Sequence, residues 1–197
     1  DTQNATEPQT QGSNILVDCP AWTDTNLDFI TQQGGIQWLI VTHRGGSSRV
    51  RDWQETFDCT VVVQEQEAYL LPQVNAQAFH REMVLTPNHR LLWTPGHSPG
   101  SSCLYSSAHN GMLFTGRHLL PTRQGTAAPL RVSKTFHWPR QIKHIQRLLD
   151  RFTPEKLTWL CPGANIGFLR GKRMIPDAYN QLTNLDFSTL LKTQPLL

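Results

Sequence analysis

No stretch of this chain approaches the roughly 20 uninterrupted apolar residues that a membrane-spanning helix requires, so no helical membrane anchor is expected. Charge of one sign is also scarce. Eighteen Lys and Arg stand against 15 Asp and Glu, a net charge of +3 that is too slight to argue for nucleic acid. The small basic clusters Arg44/Arg49/Arg51 and Arg170/Lys172/Arg173 read as solvated surface, and no nucleic-acid partner is expected. The four cysteines, at 19, 59, 103 and 161, contain no C-x-x-C pair. Each sits in an apolar or strand-like context, which reads as reduced core cysteine rather than a disulfide framework and fits a cytoplasm-like compartment. Against that reading the formal sequon Asn4-Ala5-Thr6 carries no weight. There is no internal repeat. The polar opening, Asp1 to Ser13, has no basic start followed by an apolar run, so no signal peptide is expected.

What is present suits one packed core. The 197 residues are 38% hydrophobic and 17% charged, enough for one substantial domain and short for two. The Gln- and Thr-rich bias stops at Ser13, which divides a polar segment, 1–13, from a single domain, 14–197. Ile15-Leu16-Val17 predicts a buried strand running into a loop at Asp18. Thr25 is the expected cap of a helix closed by Gly34-Gly35. Ile36 to Val41 predicts a second strand. It ends in the loop Thr42-His43-Arg44-Gly45-Gly46-Ser47-Ser48, where Ser47 or Ser48 is the expected cap of a helix running through Phe57. Strand Thr60–Val63 and a short helix over 65–71 complete a strand–helix–strand–helix–strand run, the signature of an α/β sheet. Short strands follow at 83–85, 91–94, 102–105 and 112–115, with a hairpin turn at Asn110-Gly111. Pro139 opens a helix whose apolar residues Ile142, Ile145, Leu148, Leu149 and Phe152 recur at helical spacing. A strand over 157–161, a Gly-rich loop over 162–167 and a helix beginning near Pro176 end the pattern.

Two stretches carry a family resemblance. Thr94-Pro95-Gly96-His97-Ser98-Pro99-Gly100-Ser101 resembles the T-P-G-H-T-P-G-S loop of metallo-β-lactamase-fold hydrolases of the glyoxalase II and lactonase type. Leu113-Phe114-Thr115-Gly116 resembles the strand that follows it. Asp18 and Thr42-His43 fall upstream in matching order, so the likeness spans residues 15–167. The Thr42-His43-Arg44-Gly45-Gly46 and Thr115-Gly116-Arg117-His118-Leu119-Leu120-Pro121 loops are similar to those of family members from photosynthetic organisms. The resemblance implies an αββα sandwich with a metal site at one edge, in the cytoplasm or plastid stroma. It also implies one or two strands before the one ending at Asp18; the polar opening does not read like them, so they are expected to be degraded or absent.

In that family the site is a pair of Zn or Fe ions held by seven side chains. His43 and His97 match. The remaining positions fall on Gly45, Ser47, Ser48, Arg117 and Ala164, none of them a family ligand type. Catalytic zinc takes three protein ligands plus water, and two histidines supply fewer. A guanidinium within about 4 Å of a divalent cation repels it by several kcal/mol even at an effective dielectric near 20. The metal's service is to lower the pKa of a bound water, and without it the nucleophile has no evident source. Nor is there a Gly-x-Ser-x-Gly elbow that would make Ser47 or Ser48 a nucleophile.

The residues expected around the vacated site are Asp18, His43, Arg44, Ser47, Ser48, His97, Arg117 and His118. One reading has Arg117 hold a phosphate or carboxylate by a bidentate contact, helped by a helix start at Gly45 to Ser48. A second has Arg117 pair with Asp18 in a closed structural remnant. A third keeps one metal, Zn or Fe, on His43, His97 and a substitute such as His118 or Cys161. The expectation is a fold of hydrolase ancestry with no resident metal, whose remodelled site binds an anionic small molecule or a protein partner. The alternative is a hydrolase with a mononuclear or non-standard metal site.

Overall fold

The computed structural model describes residues 14–196; the polar segment 1–13 and Leu197 lie outside the described residues. The elements run β1 (Ile15–Val17), α1 (Asp24–Gln32), β2 (Trp38–Val41), α2 (Val50–Phe57), β3 (Thr60–Gln64), β4 (Ala76–Phe79), β5 (Glu82–Thr86), β6 (His89–Trp93), β7 (Ser102–Ser106), β8 (Met112–Gly116), β9 (Leu120–Pro121), β10 (Ala127–Ala128), α3 (Trp138–Arg151), β11 (Trp159–Pro162), α4 (Ala178–Thr183) and α5 (Phe187–Lys192). Strands β1-β2-β3-β4 form one sheet in which every pairing is parallel. The second sheet has the order β11-β8-β7-β6-β5, antiparallel except for the parallel β11–β8 pair.

Strand alternation builds the layers, because successive side chains leave a strand on opposite faces. Along β2 and β3, Leu39, Val41, Val61 and Val63 pack with Ile30, Val50 and Trp53 of α1 and α2. The residues between them, Ile40 and Val62, turn the other way and meet Leu91, Leu104 and Phe114 of the second sheet. That sheet's outer face, with Leu92, Cys103 and Leu113, packs against Trp138, Ile142, Ile145 and Leu148 of α3 and against Ala178 and Leu182 of α4. Three apolar seams between four layers make the αββα sandwich.

Several local expectations change. Thr23, in the extended conformation, caps α1 by accepting from the Asn26 N–H; Thr25 lies inside the first turn. Neither Ser47 nor Ser48 caps α2. The chain passes through a 3-10 turn at Arg44–Gly46 and enters α2 at Arg49, whose left-handed φ of 54° replaces a capping side chain. Ser47 Oγ donates to the Arg44 carbonyl instead. The helix expected over 65–71 is a 3-10 segment, Glu65–Leu70. Strand β4 opens on Ala76-Gln77-Ala78, which form strands weakly, and its pairing with β3 overrides that local preference. The single helix expected from Pro176 is two, α4 and α5.

All four cysteines are free. Burial first raises their thiol pKa values, to about 12 for Cys19 and Cys103 and about 11 for Cys59 and Cys161, so each is a poor nucleophile at neutral pH. The β7–β8 turn depends on Gly111, whose φ is +95° and whose missing Cβ would lie 1.9 Å from the Lys156 carbonyl oxygen. Gly111→Ala should therefore cost about 2–4 kcal/mol and lower the thermal midpoint by roughly 5–15 °C. Calorimetry of the two chains checks this.

Candidate functional site

The ends of β1, β2, β8 and β11 meet at one edge of the sandwich, joined by close backbone contacts. The Ser102 N–H donates to the Thr42 carbonyl across the two sheets at 2.8 Å, and the Gly163 N–H donates to the Gly116 carbonyl at 2.8 Å. Asp18, in the left-handed region with φ 59°, turns its carboxylate toward the end of β2. Its Oδ1 accepts from the Thr42 N–H at 2.8 Å and its Oδ2 from the Thr42 hydroxyl at 2.7 Å. That hydroxyl spends its one proton on Asp18, so it accepts at 3.0 Å from His43 Nδ1, which fixes the neutral ring as the Nδ1–H tautomer. His43 Nε2 is then a lone pair, buried and without a protein partner.

Two glycines permit this packing. A Cβ at Gly46 would fall 2.1 Å from Asp18 Oδ1, and one at Gly116, where φ is +51°, would fall 2.1 Å from Thr42 Oγ1. Asp18 is thus held by Thr42, with His43 Nδ1 3.6 Å away. Among the described residues it makes no ion pair with Arg117, contrary to the closed-remnant expectation.

The Thr94–Ser101 loop brings His97 to the same edge. Within it the Ser98 N–H donates to Ser101 Oγ, the two hydroxyls bond each other at 2.8 Å, and both residues are buried. Gly96 lies against the backbone of Gln141 on α3, where a Cβ would come within 2.3–2.5 Å of three atoms. The half-buried His97 ring sits edge-on to His43 with centroids 5.5 Å apart. Burial first, then coupling to His43 and the positive charge of Arg117 and Arg44, pushes its pKa down to about 4, so the ring is neutral at pH 7.

Arg117 is exposed at the end of β8, and among the described residues it has no carboxylate partner. Arg44, about half exposed, has Nε 3.8 Å from Glu67 Oε1. Ser47 is tied to its own turn, and Ser48 is exposed. His118 is fully buried, with neither ring nitrogen hydrogen-bonded. Asp18, His43, Arg44, His97 and Arg117 therefore share the edge, Ser47 and Ser48 flank it, and His118 is buried beneath.

Among the described residues no three His, Cys, Asp or Glu side chains converge as metal donors, so neither His118 nor Cys161 completes a set with His43 and His97. The residues present do not fit a pair of divalent ions. Two nitrogens are offered where seven donors would be needed, with guanidinium charge beside them. Glu67 and Gln141 were not singled out in the sequence, and Thr42 entered only as part of the Thr42-His43 motif. Glu67 is buried and accepts the Gly100 N–H through Oε1, and Gln141 Nε2 donates to the His118 carbonyl. A polar residue at an otherwise apolar spacing, Gln141 between Trp138 and Ile145, was the available signal.

No protein-family model matches the chain. It is 30% identical over 115 residues to the uncharacterized protein YmaE of Bacillus subtilis (strain 168), a match covering 55% of this chain and 42% of that protein. The match thus spans less than half of the curated relative's length. In three dimensions the chain is similar to a metallo-beta-lactamase from Staphylococcus aureus subsp. aureus COL, with a TM-score of 0.66 at 17% identity, covering 93% of this chain and 60% of that one. It is also similar to TTHA1623, solved in a di-iron-bound form, with a TM-score of 0.61 at 19% identity, covering 83% and 84% of the two chains. The chain has the metallo-β-lactamase fold.

Burial, then His144 and His97, holds the pKa of His118 at about 3, against an ordinary 6.5. Above pH 6.5 the ring is neutral in folded and unfolded chains alike. As the pH falls toward 3, the unfolded chain takes a proton that the folded chain refuses, so stability is progressively lost. His118→Phe removes this loss and two unpaired buried nitrogens. Denaturant melts should show the variant as stable as the parent at pH 7, with a smaller decline between pH 6.5 and 4.5.

Proposed function

We propose that this protein, built on the metallo-β-lactamase fold, binds a small anion at the His43/His97 edge without hydrolysing it. The observation that carries this reading is electrostatic. The guanidinium charges of Arg117 and Arg44 both bear on a neutral His97; Arg44 has Glu67 3.8 Å away, and Arg117 has no carboxylate partner among the described residues. A guanidinium fork offers two parallel N–H donors to a phosphate or carboxylate.

The tautomer of His43 narrows the chemistry further. Its Nε2 is an acceptor, so a ligand that also carries an O–H satisfies it. Monohydrogen phosphate and hydroxy-carboxylates have both features, and sulfate lacks the donor. Catalysis is not required of the arrangement: Asp18 is spent on Thr42, and Glu67, whose Oε1 accepts the Gly100 N–H, is buried.

A second reading, a hydrolase with one metal ion, draws support from the same lone pair. A histidine whose Nδ1–H is oriented by a hydroxyl and a carboxylate presents Nε2 as metal ligands do. It supplies two donors with His97, fewer than the three of a catalytic zinc site.

Titration of inorganic phosphate into the full chain should show binding that weakens at least tenfold in Arg117→Ala, with sulfate the weaker ligand in the parent. Stoichiometric Zn, Fe or Mn in protein purified without added metal or a histidine tag, and lost in His97→Ala, would instead establish the second reading.

A further inference from the structure

Away from that edge, a groove of about 560 Å³ runs between α3 and the start of the β5–β6 hairpin, with Trp93 and Thr94 in its wall. Its volume lies within the range of small-molecule sites. Its rim is cationic: Arg140, Lys143 and Arg147 project from α3, and Arg81 faces them from the residue before β5.

The pairing of charges around it is uneven. Glu82, the acidic residue in the lining, is already committed to Arg151, by two bonds of 2.9 Å, and to Arg90. Among the described residues Arg81, Arg140, Lys143 and Arg147 have no carboxylate partner. Arg140, Lys143 and Arg147 are spaced i, i+3, i+7, so they lie along one helix face over about 10 Å. Such like-charge neighbours destabilise a helix unless something compensates them. On α2 the same residue type is matched locally, Arg49 with Asp52 and Arg51 with Glu55. One more contact orients the set: Arg147 Nη1 lies 3.1 Å from His144 Nε2. Burial first, then Arg147, Arg140 and Lys143, pushes the His144 pKa down to about 4, so the ring is neutral and accepts from the guanidinium.

We infer that this groove is a second binding site, for a small molecule carrying two or more linked phosphate groups, held by Arg81, Arg140, Lys143 and Arg147. Several fixed cations along a line select a chain of phosphates over a single one, and guanidinium forks match phosphate oxygens in pairs. The chemistry is shared by free polyphosphate and by the tail of a nucleotide. The inference does not rest on the anion reading of the His43/His97 edge.

The experiment uses the full chain with Arg117→Ala, which removes the other proposed anion site, and titrates inorganic tripolyphosphate, ATP, monophosphate and hexaglutamate at low and moderate salt. Tripolyphosphate should bind at least tenfold more tightly than monophosphate. Its affinity should fall at least tenfold on adding Arg140→Gln with Arg147→Gln, and about threefold with Arg147→Lys, which keeps charge and loses the fork. Melting curves confirm that these surface variants are folded. ATP equal to tripolyphosphate assigns recognition to the phosphates alone, and tighter ATP adds a contact to the base; both support the site. No binding at low salt, binding indifferent to the α3 substitutions, or binding of hexaglutamate in preference to tripolyphosphate overturns it. If phosphate binding is lost in Arg117→Ala while tripolyphosphate is retained, the two sites stand separately.

Discussion

The carboxylate of Asp18 organises the edge where His43 and His97 meet. It ends β1, and both of its oxygens are occupied by a single residue at the end of β2, the Thr42 amide and hydroxyl. Charge-assisted bonds of this kind are among the stronger ones a protein makes, and here they clamp adjacent parallel strands where hydrogen bonding would otherwise fray. The clamp passes directly to His43, whose ring cannot turn without breaking its bond to Thr42 Oγ1. It also explains the two close-approach glycines, since Gly46 and Gly116 leave the space that the carboxylate and the hydroxyl fill. A carboxylate engaged in this way is structural.

Much of the fold was legible because alternation in β2 and β3 and helical spacing in α3 report burial directly. Ile40 and Val62 face one seam while Leu39, Val41, Val61 and Val63 face another, a pattern that a continuous β-branched run announces as a strand buried on both faces. The failures have equally local causes. Strand β4 opens on residues with little intrinsic strand preference and exists because β3 offers it an edge. Ser47 and Ser48 are ordinary capping residue types, but the left-handed turn at Arg49 starts the helix without them. At the site, the motif placed His43 and His97 together. The tautomer of His43, the burial of His118 and the freedom of Arg117 from Asp18 depend on contacts between distant segments that spacing does not encode.

The same limit applies to charge. In the sequence the eye falls on basic clusters such as Arg49/Arg51, and these are neutralised within their own helix. Arg81 and the α3 cations are 59 or more residues apart, and Arg90 and Arg151 are separated from the rest only by sharing Glu82. A near-neutral total therefore conceals a concentrated positive surface. What distinguishes one basic residue from another is where its carboxylate lies, and that is a property of the fold.

The parallel pairing of β11 with β8 has a consequence for how the molecule is assembled. Strands β5 to β8 are neighbours in sequence and in space, and each joins its predecessor through a short connection. By contrast, β11 must return to β8 across the whole of α3, closing a loop of more than forty residues between Gly116 and Trp159. The entropy of that closure is recovered only once α3 has docked on Leu92, Cys103 and Leu113. The pairing of β11 with β8 thus carries a larger closure cost than the β5–β6, β6–β7 and β7–β8 pairings.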